Sequence, residues 1–186
     1  MLPGMESGQD KLFHDVAAAL VANPGESTAG IAETAGISRA TLHRVFGDRD
    51  KLVEAVYGWL LDRCDQVFDE AGIDEGEIEA ALDRLIEDCY PLAQSYWLLT
   101  ATPSLERAGG IGKRIKEQDQ RLENFFARGQ EAGIFRPDLS ARWMSYSFGG
   151  QVMSAWYLVD DGYAGELEVP RLIREATFGG FTAQGK

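Results

Sequence analysis

Apolar residues recur at intervals of three and four along almost the whole chain, and this period constrains the fold more strongly than any other feature. Such spacing places apolar side chains on one face of an α-helix. No segment alternates apolar and polar residues convincingly, as a half-buried β-strand would. The sequence therefore predicts an all-α fold. Helices are predicted over 11–22, from the N-cap Ser27 to 35, over 39–46, from the N-cap Asp48 to a stop at Gly72, over 78–100 with an interruption at Pro91, and over 111–132, 138–160 and 170–181.

The 186 residues are enough to bury a substantial core without a metal or disulfide staple. Cys64 and Cys89 fit neither a disulfide framework nor a zinc site, which favours a reducing compartment. No basic region followed by an apolar run opens the chain, and no eighteen apolar residues follow one another without a charge. We therefore expect a cytoplasmic protein that neither crosses nor contacts a membrane.

Charge is distributed unevenly along the chain. The formal net charge of -12 argues at face value against a nucleic-acid ligand, because phosphate binding relies on Lys and Arg. Between Ser38 and Lys51, however, four basic residues stand against two acidic ones. A small basic region on an acidic body is typical of a protein that grips DNA at one end and is repelled from it elsewhere.

The segment from Gly30 to Phe46 has the pattern of two helices that cross through a short turn. Such a crossing needs a small residue, supplied by Ala32, and a glycine in the turn, supplied by Gly36. Ser38 is the predicted N-cap of the second helix. The apolar residues expected to face inward are Ile31, Ala35, Ile37, Leu42 and Val45. The residues left to face outward on the second helix are Arg39, Ala40, Thr41, His43 and Arg44.

This segment resembles the DNA-binding domain of the tetracycline-repressor (TetR) family. The matching residues are Ile31-Ala32, Ala35-Gly36-Ile37-Ser38, Thr41-Leu42-His43, Phe46 and Arg49-Asp50-Lys51-Leu52. The resemblance implies a three-helix, helix-turn-helix DNA-binding domain over 1–55 and a helical ligand-sensing and dimerisation domain over 56–186. It implies DNA contacts from Ser38, Arg39, Ala40, Thr41, His43, Arg44, Arg49 and Lys51. We expect Arg39 and Thr41 to approach base edges, and His43, Arg44, Arg49 and Lys51 to grip phosphates.

Some residues depart from the family pattern. His43 stands where tyrosine is usual, and Arg49 stands where lysine usually opens the fourth helix. Gly30 occupies the position of the acidic residue that commonly completes a capping box with Ser27, so we expect a less stable second helix. No basic arm precedes the first helix.

The carboxy-terminal half is rich in aromatic residues, which in most proteins simply fill a core. The family resemblance also implies an effector pocket in the middle helices, and we assign to it Cys89, Tyr90, Trp97, Phe126 and Tyr146. Tyr and Trp tips in an apolar cavity would suit a neutral or weakly polar aromatic or lipid-like molecule.

The last two helices carry small residues among large apolar ones, which favours a four-helix dimer interface. The residues assigned to it are Tyr146, Gly149, Gly150, Met153, Trp156, Leu172, Ile173 and Ala176. Ordinary packing within one protomer is the alternative. One short recognition helix reads only a few base pairs, so the DNA-binding hypothesis also needs a dimer.

Enzyme functions have little support. His14 and His43 lie in different helices without a metal-ligand spacing, and the stretch 109–113 lacks the first glycine and the Ser or Thr of a phosphate-binding loop. We expect no metal, no cofactor and no catalysis. The sequence favours a ligand-responsive regulator, presumed a repressor, that binds a palindromic operator as a homodimer. The alternative is a helical dimer that binds a small molecule or a partner and has lost specific DNA recognition.

Overall fold

The computed structural model describes residues 8–93 and 109–182. These two ranges contain eight α-helices and no strand, with an isolated bridge between Phe135 and Thr182, so the all-α prediction is confirmed. The helices are α1 (Gly8–Ala22), α2 (Thr28–Thr34), α3 (Arg39–Phe46), α4 (Arg49–Ala71), α5 (Ile78–Cys89), α6 (Gly109–Glu131), α7 (Ala141–Asp160) and α8 (Val169–Phe181). Short 3-10 turns cover Tyr90–Leu92 and Glu166–Glu168.

Most helix ends lie where caps and glycines predict them. α3 has the predicted bounds, because Ser38 caps its start and Gly47 ends it in a positive-φ conformation, at 78°. α7 starts later than predicted because Ser140 caps it by accepting from the N–H of Trp143. α5 ends at Cys89, and Pro91 lies in the 3-10 turn that follows. The remainder of the helix predicted over 78–100 lies outside the described residues.

The chain divides into two compact units, and both boundaries fall inside helices. Residues up to 63 and 109–115 belong to the first unit, and residues 64–93 and 116–182 to the second. The first boundary therefore lies in α4 and the second in α6. The domain boundary predicted between residues 55 and 56 stays a prediction.

The core of the first unit joins α1, α2, α3 and the start of α4. Phe13 packs edge-on against Phe46 of α3 at 5.0 Å and stacks on Trp59 of α4 at 6.0 Å, measured between ring centres. The fully buried aliphatic side chains around these rings are Val16, Leu20, Ile31, Leu42 and Leu52. α3 is thus anchored through its inward face, which leaves its other face free.

The core of the second unit is a cluster of phenylalanines. Phe126 lies at its centre, 5.3 Å from Phe135, 6.1 Å from Phe148 and 5.7 Å from Phe181 between ring centres. A Cβ on Gly129 would stand 2.2 Å from the ring of Phe135, so glycine is required at that approach. The ring of Phe126 is fully buried among these neighbours, and its assignment to a ligand pocket stays a prediction.

None of the helices in the described ranges is both long and apolar enough to span a membrane.

Candidate nucleic-acid interface

The turn between α2 and α3 is built from short-range hydrogen bonds. Gly36 has a φ of 67°, and the N–H of Ile37 reaches back to the carbonyl of Ala32 at 2.9 Å. This bond closes the carboxy-terminal cap of α2, in which one residue adopts the left-handed conformation. Glycine is suited to that conformation because it has no Cβ. The oxygen Oγ of Ser38 then accepts from the N–H of Thr41 at 3.1 Å and opens α3. The chain therefore leaves α2 and enters α3 within a few residues.

The outer face of α3 carries most of the side chains that the sequence assigns to DNA. Leu42 and Phe46 face the core, while Arg39, Ala40, His43 and Arg44 are exposed. Val45, predicted to face inward, is 43% exposed instead, because Phe46 takes the inward position at the end of this short helix. α3 thus presents two guanidinium groups, an imidazole and two apolar side chains to solvent.

Two of the predicted contact residues form the cap of α3. The hydroxyl groups of Ser38 and Thr41 lie 2.9 Å apart and share a hydrogen bond. Thr41 is half-buried, whereas Arg39 is exposed. Both hydroxyl groups stabilise the amino end of α3, and the one that accepts in their shared bond keeps its own O–H free to donate.

The start of α4 holds one exposed cation. Asp48 caps the helix by accepting from the N–H of Lys51 at 3.0 Å, and that bond is the main reason why the pKa of Asp48 is lowered. The ammonium group of Lys51 lies 3.4 Å from the same carboxylate, and its side chain is 71% exposed. Lys51 therefore stands at the surface beside the end of α3.

Arg49 does not extend toward solvent as a phosphate contact would. Its guanidinium group donates to the carbonyl oxygens of Glu26 and Pro24, the latter at 2.5 Å, in the loop before α2. The side chain is half-buried as a result. Long-range backbone acceptors thus occupy two donors of its charged group, and the phosphate contact assigned to Arg49 stays a prediction.

Sequence reasoning missed the function of Glu26. Its carboxylate accepts from the N–H of Ser27 at 2.8 Å and from the hydroxyl group of Ser27 at 3.2 Å. A Cβ on Gly30 would lie 2.4 Å from the Cδ of Glu26, so this side chain occupies the space above Gly30. Glu26 supplies the bond to the N-cap that the residue at position 30 makes in a capping box, which offsets the expected weakness of α2.

The residues assigned to a ligand pocket are dispersed. Cys89 and Tyr90 are half-buried where α5 ends, and burial is the main cause that raises the pKa of each. Tyr146 is 63% exposed on α7, and its assignment to the pocket stays a prediction. Trp97 lies outside the described residues.

Most of the residues assigned to a dimer interface lie at the protomer surface. Those that are exposed or half-buried are Tyr146, Gly149, Gly150, Met153, Trp156, Leu172 and Ala176. Ile173 is only 2% exposed within the protomer, because α8 turns it toward the core of the second unit, and its place in a dimer interface stays a prediction. Trp143 and Tyr157, which the sequence did not single out for this face, are 61% and 45% exposed.

Among residues 8–93 and 109–182, no group of three or more His, Cys, Asp or Glu side chains could hold a metal ion.

Comparisons with known proteins agree on one group. Residues 24–56 match the model of the tetR family of bacterial regulatory proteins. The chain is 31% identical to the HTH-type transcriptional regulator NfxB of Pseudomonas aeruginosa over 137 residues, and this aligned region covers 73% of each protein. It is 23% identical over 182 residues to the HTH-type transcriptional repressor LfrR of Mycolicibacterium smegmatis, which covers 95% of each.

Solved structures share the fold. The TetR-like regulator LfrR of Mycobacterium smegmatis, in complex with proflavine, superposes with a TM-score of 0.73 at 19% identity, over 95% of this chain and 97% of that one. The ketosteroid regulator KstR2 of Mycobacterium tuberculosis gives a TM-score of 0.71 at 20% identity, over 98% and 99%. The matched segment 24–56 contains α2, α3 and the start of α4, where the exposed cations of the site lie.

Proposed function

The chain belongs to the tetR family of bacterial regulatory proteins, and we propose that it is a repressor that reads a palindromic operator as a dimer through α3. Members of this family are ligand-responsive transcriptional regulators rather than enzymes. The alternative of a helical dimer without DNA recognition is not favoured, because the segment that matches the family model is the DNA-binding one.

The exposed face of α3 is the observation that carries the proposal. Leu42 and Phe46 anchor the helix, and Ser38 caps it, so its orientation is fixed by the core rather than by the ligand. A helix of this length lies in the major groove with its amino-terminal half. Arg39 stands in the first turn and is suited to a bidentate contact with guanine, while the methyl group of Ala40 is suited to thymine.

The remaining contacts are to the phosphate backbone. Arg44, His43 and Lys51 are exposed around the end of α3 and the start of α4. Donors of this kind set the register of a protein on the duplex without reading its sequence. Ser38 and Thr41 add hydroxyl groups at the amino end of α3, next to Arg39.

The exposed face of α7 and α8 supports the dimer. Trp143, Tyr146, Gly150, Met153 and Tyr157 recur at alternating spacings of three and four, which places them in one stripe along α7. Large apolar side chains exposed in one stripe mark a protein interaction surface. A two-fold pair of α3 helices would then reach half-sites about 34–36 Å apart.

We further propose that an aromatic molecule is the effector and that its binding weakens operator binding. The regulator LfrR, which shares this fold, was crystallised with the aromatic compound proflavine. Of the residues assigned to the pocket, Cys89 and Tyr90 are half-buried in the second unit and carry polar groups at the ends of their side chains. Coupling of the two sites must be reciprocal, so operator DNA would lower the affinity for the effector.

The test is selection of bound sequences from a random DNA pool at physiological salt. We expect an enriched palindrome, and Arg39→Ala should relax the preference at one position of each half-site, at a cost of about 1–3 kcal/mol. Arg171→Ala removes the same charge from the exposed surface of α8 and serves as the matched control. Equal binding of the selected palindrome and its scrambled version would contradict the proposal.

A further inference from the structure

Arg49 reaches from the first turn of α4 back to the loop between α1 and α2. Its two terminal nitrogens donate to the carbonyl oxygens of Glu26 and Pro24, which lie 23 and 25 residues earlier in the chain. A guanidinium group is planar and presents its donors as a fork, so it can hold two acceptors of one segment at once. An ammonium group is a point charge without this geometry.

The two segments joined by Arg49 bracket the helix-turn-helix. Glu26 directly precedes the N-cap of α2, and Arg49 follows the end of α3 by three residues. The two hydrogen bonds therefore link the residues before α2 to the start of α4 and oppose the separation of the two ends of the α2–α3 segment. Such a restraint fixes the direction in which α3 leaves the core, which is what preorganises a recognition helix.

The amino end of α4 is poorly suited to a phosphate. The carboxylate of Asp48 already accepts from the N–H of Lys51 at 3.0 Å and so occupies this end of the helix. Asp50 is exposed next to it. A phosphate placed there would meet two carboxylates, and the cation available to DNA is Lys51, with its side chain 71% exposed.

We infer that Arg49 is a positioning residue for operator binding: it ties the loop before α2 to the start of α4 and does not contact phosphate. The inference is tested by two experiments, and only the second of them rests on the proposed DNA-binding function. The first readout is made on the protein without DNA, so the two ideas can fail separately.

The first experiment is hydrogen exchange on the DNA-free protein, comparing wild type with Arg49→Lys and Lys51→Ala. Arg49→Lys keeps the charge but loses the fork, so the amides of residues 26–31 should exchange about tenfold faster or more. Lys51→Ala should leave these amides unchanged. Unchanged exchange in Arg49→Lys would overturn the inference, whatever the protein binds.

The second experiment measures the salt dependence of binding to the selected operator. Arg49→Lys should lower the affinity about tenfold or more while the slope of log affinity against log salt stays that of wild type, because no phosphate contact is lost. Lys51→Ala should reduce the slope by about 0.9. If Arg49→Lys binds as wild type and Arg49→Ala reduces the slope by as much as Lys51→Ala does, then Arg49 is a phosphate contact and the inference is wrong. If the wild-type protein selects no sequence, the proposed function fails while the exchange result still stands.

Discussion

At the scale of single residues, the start of α2 is stabilised by the carboxylate of Glu26, which lies outside the helix. Glu26 accepts from both the N–H and the hydroxyl group of Ser27, and Ser27 accepts in turn from the N–H of Gly30 at 3.1 Å. Asn23 donates its side-chain amide to the second oxygen of Glu26 at 3.1 Å. The absence of a side chain at position 30 leaves the space that Glu26 fills.

This arrangement predicts that positions 26 and 30 are coupled. Glu26→Ala should lower the free energy of unfolding by about 0.5–2 kcal/mol, the usual range for the loss of an N-terminal cap. Gly30→Glu should restore stability in the Glu26→Ala protein, because a glutamate at position 30 can reach the N–H of Ser27. In the wild-type protein the same change should gain less, since its Cβ would meet Glu26.

A double-mutant cycle by urea unfolding measures this coupling. The single variants, the double variant and wild type are compared at one temperature and salt concentration. An equal effect of Gly30→Glu in both backgrounds would show that Glu26 does not take the place of the capping-box acid.

Sequence reasoning did not find the contacts of two residues at this scale, Arg49 and Glu26, because their partners carry no sequence signal. Arg49 donates to backbone carbonyls 23 and 25 positions away, and every residue has such a carbonyl. Glu26 acts from the position before the N-cap, whereas the usual capping pattern places the acid three residues after it. Ser38 and Asp48 were predictable as caps because each side chain accepts from a backbone N–H only three residues later, at Thr41 and Lys51.

At the scale of elements, arginines of α5 and α6 hold the turn after α4. Arg128 of α6 donates to the carbonyls of Ile73 and Gly76 at 2.5 and 2.6 Å. Arg84 of α5 donates to the carbonyl of Ala71 through Nε at 3.1 Å and Nη2 at 2.8 Å. The bonds from Arg84 satisfy the carbonyl of Ala71, which the end of α4 leaves without a helical partner, and the bonds from Arg128 hold two carbonyls of the turn that follows.

Replacement of Arg128 by lysine should therefore destabilise the second unit. One ammonium group cannot satisfy both carbonyls in the same geometry, and we expect a loss of about 1–3 kcal/mol. Thermal unfolding followed by near-ultraviolet circular dichroism checks this. Arg171→Lys is the matched control, because Arg171 forms only exposed pairs with Glu168 and Glu175 and should change stability by less than about 0.5 kcal/mol. A similar loss in both variants would argue against a special function of Arg128.

The inward face of a helix could be predicted from the sequence more reliably when the helix was long, and its ends could be predicted when they carried a cap or a glycine. The pattern of α4 continues over many turns, so its face is unambiguous, and Gly72 stops it with a φ of 72°. α3 has only eight residues, and its inward face could include either Val45 or Phe46. Contact with Phe13 of α1 decides in favour of Phe46, and such a contact is not visible in a local pattern. The surroundings of Phe126 were not visible in a local pattern for the same reason, since its burial depends on rings from three other segments.

At the scale of the whole molecule, the exposed cations of α3 and the stripe of exposed aromatic side chains on α7 are separate features. The chain has a formal net charge of -12, while α3 exposes Arg39 and Arg44 without an acidic residue of its own. The exposed apolar side chains Trp143, Tyr146 and Tyr157 lie on α7 instead. Negative charge elsewhere would oppose nonspecific coating of DNA, so operator binding should require that two α3 helices act together.

The dimer can be tested at Gly150, which lies in the exposed stripe of α7. A Cβ at this position meets no atom within 4 Å in the protomer, so Gly150→Arg should fold as wild type. An arginine there would keep a partner helix from approaching and would bury a charge without a partner, which we expect to weaken dimerisation on the order of 100-fold. Analytical ultracentrifugation measures the association, and circular dichroism verifies the fold.

The same variant should lose operator binding although no residue of the DNA-binding face has changed, because a single short recognition helix reads only a few base pairs. Gln120→Arg adds the same charge to the exposed surface of α6 and should alter neither association nor DNA affinity. If Gly150→Arg remains dimeric and binds the operator as tightly as the Gln120→Arg protein, the stripe on α7 is not the surface through which two protomers bring their α3 helices onto one palindrome.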